Sequence, residues 1–240
     1  MARRKYFRRN PYRRRFKRRN YRFSSRRRSG FRRWRVARQK NLVFSNSQLV
    51  TLRYCKNIQL NPANGATISV ATFRANDIYF CDGLAGSEPK GTTEWEGFYN
   101  HYLVIGSKMT AMFNSGSSTT SNGAGTVGVV LTDTSNVAYI NNTDVMTEPR
   151  ARWKIIGNQT GTGTKTITKG YSPKKFFTIH NLLDNQEHYG APVSVSPPEI
   201  AFFQVFFAPH AASAGTGGPW VTVIIDYKVM YTGPKRIAPS

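Results

Sequence analysis

The 240-residue chain predicts an all-β fold, an eight-stranded antiparallel jelly-roll sandwich behind a disordered, basic amino-terminal arm. Three observations predict it. The composition breaks near residue 40, where an arginine-rich run gives way to Asn41-Leu42-Val43-Phe44. Beyond the break, short β-branched and aromatic runs alternate with clusters of Gly, Asn, Ser, Thr and Pro, the punctuation of strands and turns. Helical periodicity is scarce, which argues against a parallel sheet wound with helices.

Residues 1 to 40 form the first unit. They hold 17 Arg and 3 Lys and no acid, so +20 of the formal net charge of +23 lies there and the remaining 200 residues carry only +3. Aliphatic residues are almost absent and like charges repel, so this unit builds no core and is expected to be disordered when free. Residues 41 to 240 form the sandwich domain. Strands are expected at about 47–60, 67–80, 102–114, 126–133, 151–157, 164–179, 199–208 and 219–231. In the last, Val221, Val223, Ile225, Tyr227, Val229 and Tyr231 are uniformly apolar and should face the core. The segment Ile200 to Phe207 is apolar on nearly both faces and should lie centrally in its sheet. Loops are expected at 82–94, 115–125 and 211–218, and short helices around 94–99 and 181–189. An immunoglobulin-like sandwich is the competing architecture, but the chain lacks the Cys and Trp framework of that fold.

The charge distribution directs the search for a partner to the arm. Guanidinium groups match phosphate oxygens and never deprotonate, which suits binding to a nucleic-acid backbone without choice of sequence. The candidate nucleic-acid-binding cations are Arg3, Arg4, Lys5, Arg8, Arg9, Arg13, Arg14, Arg15, Lys17, Arg18, Arg19, Arg22, Arg26, Arg27, Arg28, Arg32, Arg33, Arg35 and Arg38. Tyr6, Tyr12, Tyr21 and Trp34 interleave with them and can stack on unpaired bases at about 1 to 3 kcal/mol each, which favours a single-stranded target. A nuclear localisation signal needs only a short basic run, and the arm can serve as one too.

Other chemistry has little support. No stretch approaches the roughly 18 apolar residues that span a bilayer, so no membrane insertion is expected, and the basic start lacks the apolar region of a secretory signal. Gly161-Thr162-Gly163-Thr164-Lys165-Thr166 misses the phosphate-loop pattern, because Thr164 stands where Gly must precede the lysine. His101, His180, His188 and His210 have no metal spacing, and Cys55 and Cys81 no CxxC pattern, so no cofactor is expected and both thiols should be free and at least partly buried. Asp77, Asp82, Glu94 and Glu96 are close in sequence, which does not place two of them across a substrate; they are read as interface or solvent charges, and no enzyme activity is expected.

Three blocks carry a resemblance: Phe73-Arg74-Ala75-Asn76-Asp77-Ile78-Tyr79, then Trp95-Glu96-Gly97-Phe98-Tyr99-Asn100-His101-Tyr102 with Val104 to Met109, then the close at Tyr227 to Lys235. With the arginine-rich start, they make the chain similar to capsid proteins of circoviruses and related small circular single-stranded DNA viruses. The stretch Phe80 to Gly91 departs from that pattern, with Pro89 alone where a proline-richer loop would stand. The resemblance implies a jelly roll that assembles into a sixty-subunit icosahedral shell, with the arm inside against single-stranded DNA. It also implies host nuclear import receptors and an unidentified host cell receptor as partners, and the virion and host nucleus as locations. The alternatives are a cellular nucleic-acid-binding protein, ribosomal or chromatin-like, and an imported enzyme whose arm is a transit peptide.

Overall fold

A computed structural model of the chain describes residues 45–62, 68–114, 124–136, 142–157, 164–210 and 218–236. The chain divides into two units, Met1–Ala37 and Arg38–Ser240, and every described residue belongs to the second. The expected boundary near residue 40 and most of the loops at 115–125 and 211–218 therefore lie outside the described residues.

Among the described residues, nine strands follow in chain order: β1 (Ser47–Gln59), β2 (Ser69–Arg74), β3 (Tyr99–Asn114), β4 (Gly125–Thr132), β5 (Ala151–Ile156), β6 (Lys165–Tyr171), β7 (Gly190–Pro192), β8 (Phe202–Pro209) and β9 (Trp220–Pro234). Four short helices accompany them: α1 (Thr92–Phe98), α2 (Asn142–Thr147), α3 (Pro173–Phe176) and α4 (Gln186–Tyr189), the last preceded by a 3₁₀ turn at Leu183–Asn185. One sheet has the order β1-β9-β3-β6, with β7 on β3, and the other β2-β8-β4-β5. Every pairing between these strands is antiparallel.

Without the three-residue β7, the outermost strands of the sequence pair with each other (β1 with β9), as do the next pair inward (β2 with β8), then β3 with β6 and β4 with β5. That is one long antiparallel ribbon rolled into two facing sheets, the jelly-roll topology, and not that of an immunoglobulin domain.

The eight sandwich strands fall where the sequence places them. Two end earlier than expected, each for a local reason. β2 stops at Arg74 because Asp77 turns the chain, its Oδ1 accepting from the backbone N–H of Tyr79 at 3.0 Å. β6 stops at Tyr171 because Pro173 has no N–H for a ladder and opens α3 instead. Short helices stand at both expected places, whereas α2, α3 and β7 are too short to leave a periodic signal.

All six expected core residues of β9 are buried. β8 lies between β2 and β4, as expected. Phe203, Val205 and Phe207 join the main core, while Phe206 packs on the far side with Val130 of β4 and Val145 of α2. Burying each such side chain contributes about 1.5–3 kcal/mol.

Gly128 of β4 sits under this outer cluster. A Cβ there would meet the Phe206 ring at 2.4 Å and the Arg152 carbonyl oxygen at 2.5 Å. Gly128→Val is expected to cost about 1–3 kcal/mol by overpacking, read as a lower urea midpoint. An unchanged midpoint would mean that Phe206 swings aside freely.

Candidate functional site

The expected nucleic-acid-binding residues, Arg3 to Arg38 with Tyr6, Tyr12, Tyr21 and Trp34, all lie outside the described residues. What the structure does place is the start of the folded body. The Tyr99 hydroxyl donates to the Ser45 carbonyl at 3.1 Å, two residues before β1. Tyr99 is itself fixed in an aromatic cluster in which Trp95 of α1 stacks on Tyr231 of β9, with centroids 5.8 Å apart and planes at 20°. The second and third resemblance blocks thus converge where the chain enters the sandwich.

The first block builds a buried polar hub. Asp77 is fully buried, and its Oδ2 accepts from the Arg74 guanidinium at 2.6 Å and from the Ser196 hydroxyl at 2.6 Å. Its Oδ1 accepts from the backbone N–H of Tyr79 and, at 3.3 Å, from the Tyr102 hydroxyl. Tyr102 is within hydrogen-bond distance of Val195 O as well, at 2.8 Å. Neighbouring Asn76 donates to the Glu199 carbonyl at 2.7 Å and accepts from the Ala201 N–H at 2.9 Å. The Tyr227 hydroxyl closes on the Arg74 carbonyl at 2.7 Å. Arg74 to Asp77 therefore ties the end of β2 to β3, to β9 and to the 195–201 segment. With its charge paired and its lone pairs satisfied, the carboxylate is arranged to hold the fold together.

This corrects the reading of Asp77 as an interface or solvent charge: three residues beyond Arg74, it turns inward to complete the turn. The other three carboxylates take different surroundings. Burial alone would raise the pKa of Asp82, but the Lys56 ammonium and the Ser87 hydroxyl outweigh it and hold Asp82 below the ordinary carboxylate range. Glu94 is exposed, and Glu96 accepts from the Ser194 hydroxyl at 2.5 Å. Among the described residues, no three of His, Cys, Asp and Glu cluster as metal ligands.

The thiols also differ from expectation. Both are free and Cys81 is buried, but Cys55 is exposed. β1 turns Leu52 and Tyr54 inward, and the pleat sends Arg53 and Cys55 to the other face. Burial pushes the Cys81 thiol up to about 12. The folded state therefore holds that proton, and its contribution to stability is complete below the ordinary thiol pKa and lost as pH rises towards 12. Iodoacetamide at pH 8 is expected to label Cys55 and spare Cys81 until the protein unfolds, which peptide mass spectrometry reads directly. Equal labelling of both would contradict this placement.

The outer face of the β1-β9-β3-β6 sheet mixes polar side chains with apolar ones such as exposed Leu49 and half-buried Ile224 and Met230. Arg53, Asp226 and Lys108 lie side by side across three strands, with Arg53 donating to Asp226 at 2.6 Å. Thr51, Asn57, Thr222, Thr110, Thr166 and Thr168 share that face, all exposed or half-buried, so no described element covers it.

The described residues thus define an eight-stranded jelly-roll body with a paired, hydrogen-bonded carboxylate at its centre. No protein-family model matches the sequence, and none of the curated proteins does. Among solved structures, the chain is similar to the decameric BFDV capsid protein, at 13% identity over 77% of this chain and 99% of that one, with a TM-score of 0.44. It is also similar to a chain of Cocksfoot mottle virus, at 8% identity over 79% of this chain and 96% of the other, with a TM-score of 0.48. A chain of the semi-empty VLP of Macrobrachium rosenbergii nodavirus, from the giant freshwater prawn, matches at 10% identity over 83% and 100% of the two chains, with a TM-score of 0.44.

Proposed function

We propose that this chain is the coat protein of a small, circovirus-like virus. Copies of it close into an icosahedral shell, sixty subunits in this reading, and package single-stranded DNA with the arm of residues 1 to 40, which doubles as a nuclear localisation signal. The observation that carries the reading is the segregation of charge, with +20 in the first 40 residues and +3 in the 200 that form the sandwich. Fold alone does not determine function, but this division suits the two tasks of a coat. A wall of identical subunits cannot carry a large net charge without repelling itself, and a packaged polyanion needs a dense, sequence-blind counter-charge.

The magnitudes agree. Sixty arms would supply about 1,200 positive charges, enough for a single strand on the order of a thousand phosphates. Tyr and Trp residues among the arm's arginines add stacking surface for unpaired bases.

The packaged polymer is identified by recovering nucleic acid from gradient-purified protein after expression. Material that resists nuclease until the protein is denatured, and then yields to DNase and to a single-strand-specific nuclease, is the expected result. Recovery of RNA alone would overturn the DNA assignment, and unprotected nucleic acid would overturn packaging.

A further inference from the structure

The body's +3 is unevenly distributed. Residues 149 to 183 contain seven Lys and Arg and no Asp or Glu, so the rest of the body carries a net charge of −4. The structure brings this stretch together along the seam where β5, the edge of one sheet, meets β6, the edge of the other. Arg152 donates to the Thr168 carbonyl at 3.0 Å and Lys154 to the Thr166 carbonyl at 2.9 Å. Beside these bridges lies a cavity of about 370 Å³ lined by Arg150, Lys169, Tyr171, Ser172, Lys175 and Phe176, among others, and by no carboxylate.

Three features set this cavity apart from a solvated basic patch. The side chains of Arg150, Lys169 and Lys175 make no ion pair or hydrogen bond among the described residues. Arg150 is held instead over the Phe176 ring, 4.6 Å from its centroid. The Tyr171 hydroxyl, on a residue only 4% exposed, is one of five buried side-chain polar atoms without a hydrogen-bond partner among the described residues, and it belongs to the lining of this cavity. Lys169 alternates with Ile167 and Tyr171 on the inward face of β6, where burial and then Arg152 and Arg150 press its pKa down. Glu148 offsets this only in part.

We propose that the β5–β6 cleft is a phosphate-binding site of the folded body, separate from the arm, in which Arg150, Lys169 and Lys175 hold the oxyanion. A phosphate neutralises cations that otherwise oppose one another and offers acceptors to donors that lack them. A backbone phosphate of a nucleic acid and a free phosphate present the same chemistry to these cations.

Thermal unfolding of the full-length protein separates this site from the arm. Anion whose binding does not depend on the folded sandwich binds the native and unfolded chains alike and leaves the midpoint unmoved, whereas anion held by the cleft raises it. About 10 mM inorganic phosphate, against chloride at equal ionic strength, is expected to raise the wild-type midpoint by about 4 °C in a saturable way, for millimolar affinity. Lys169→Met is expected to abolish the shift and, without phosphate, to melt no lower than the wild type, because it removes an opposed cation. Arg150→Gln, at an exposed position, repeats the test should Lys169→Met fail to fold. Equal shifts in wild type and variants would reduce the effect to general salting-out and overturn the site. Loss of self-association in the variants without any phosphate shift would make the seam a subunit contact and overturn it too. Where the shift is present, nucleic-acid crosslinks at Lys169 or Lys175 assign the phosphate to a bound strand, and their absence assigns it to a free anion; both support the site.

Discussion

Deleting residues 2 to 38 is expected to leave the sandwich folded and to reduce binding of single-stranded DNA at physiological salt below detection. The deleted segment carries nearly all of the net charge but has almost no aliphatic residues, so it contributes to binding and not to a core. Every contact described above begins at Ser45 or later, including the Tyr99 anchor. Circular dichroism and the denaturation midpoint should therefore match those of the full chain. For the full chain, log K should fall with log salt at a slope of about −0.7 per neutralised phosphate, or about −7 if ten are engaged. The truncated chain should keep only the shallow slope of a few cations. Loss of folding on deletion would mean that the boundary lies nearer the amino terminus, and a retained steep slope would move the binding to the body.

Asp77→Ala is expected to be the most destabilising substitution among the polar residues described, at about 3–5 kcal/mol. That is the usual range when one partner of a buried ion pair is removed and the other remains. Here the loss is compounded, because the same carboxylate receives Arg74, Ser196, Tyr102 and the Tyr79 backbone. Urea denaturation measures the cost. A double-mutant cycle with Arg74→Ala should show strong coupling, since with both charges gone no uncompensated ion remains. A cost below about 1 kcal/mol would mean that water reaches the carboxylate and that the hub does not hold β2 in place.

The contrast between Asp77 and its neighbours shows where the sequence was legible. The strict alternation of β9 and the two-sided apolar run of β8 reported both burial and position, because side-chain period and burial are directly linked in a strand. The rolled strand order left no such trace: pairing of β1 with β9 or β2 with β8 joins residues more than a hundred positions apart. Four carboxylates crowd one stretch, and only the three-dimensional turn after β2 decides that Asp77 goes inside while Glu94 stays out. Cys55 faces outward because Leu52 and Tyr54 set the phase of β1, and cysteine's usual burial gives no sign of that phase. The β5–β6 cations were countable from the outset, but an average over the body concealed an acid-free stretch of seven bases beneath a total of +3. Their convergence on one cleft depended on sheet order, which periodicity cannot supply.

Self-assembly is the central claim, and negative-stain electron microscopy of purified full-length protein, with and without added single-stranded DNA, tests it most directly. Closed particles of uniform size, favoured by the DNA, are the predicted result. Monomers that coat the DNA without closing into shells, under every assembly condition tried, would contradict it and identify the chain as a cellular nucleic-acid-binding protein.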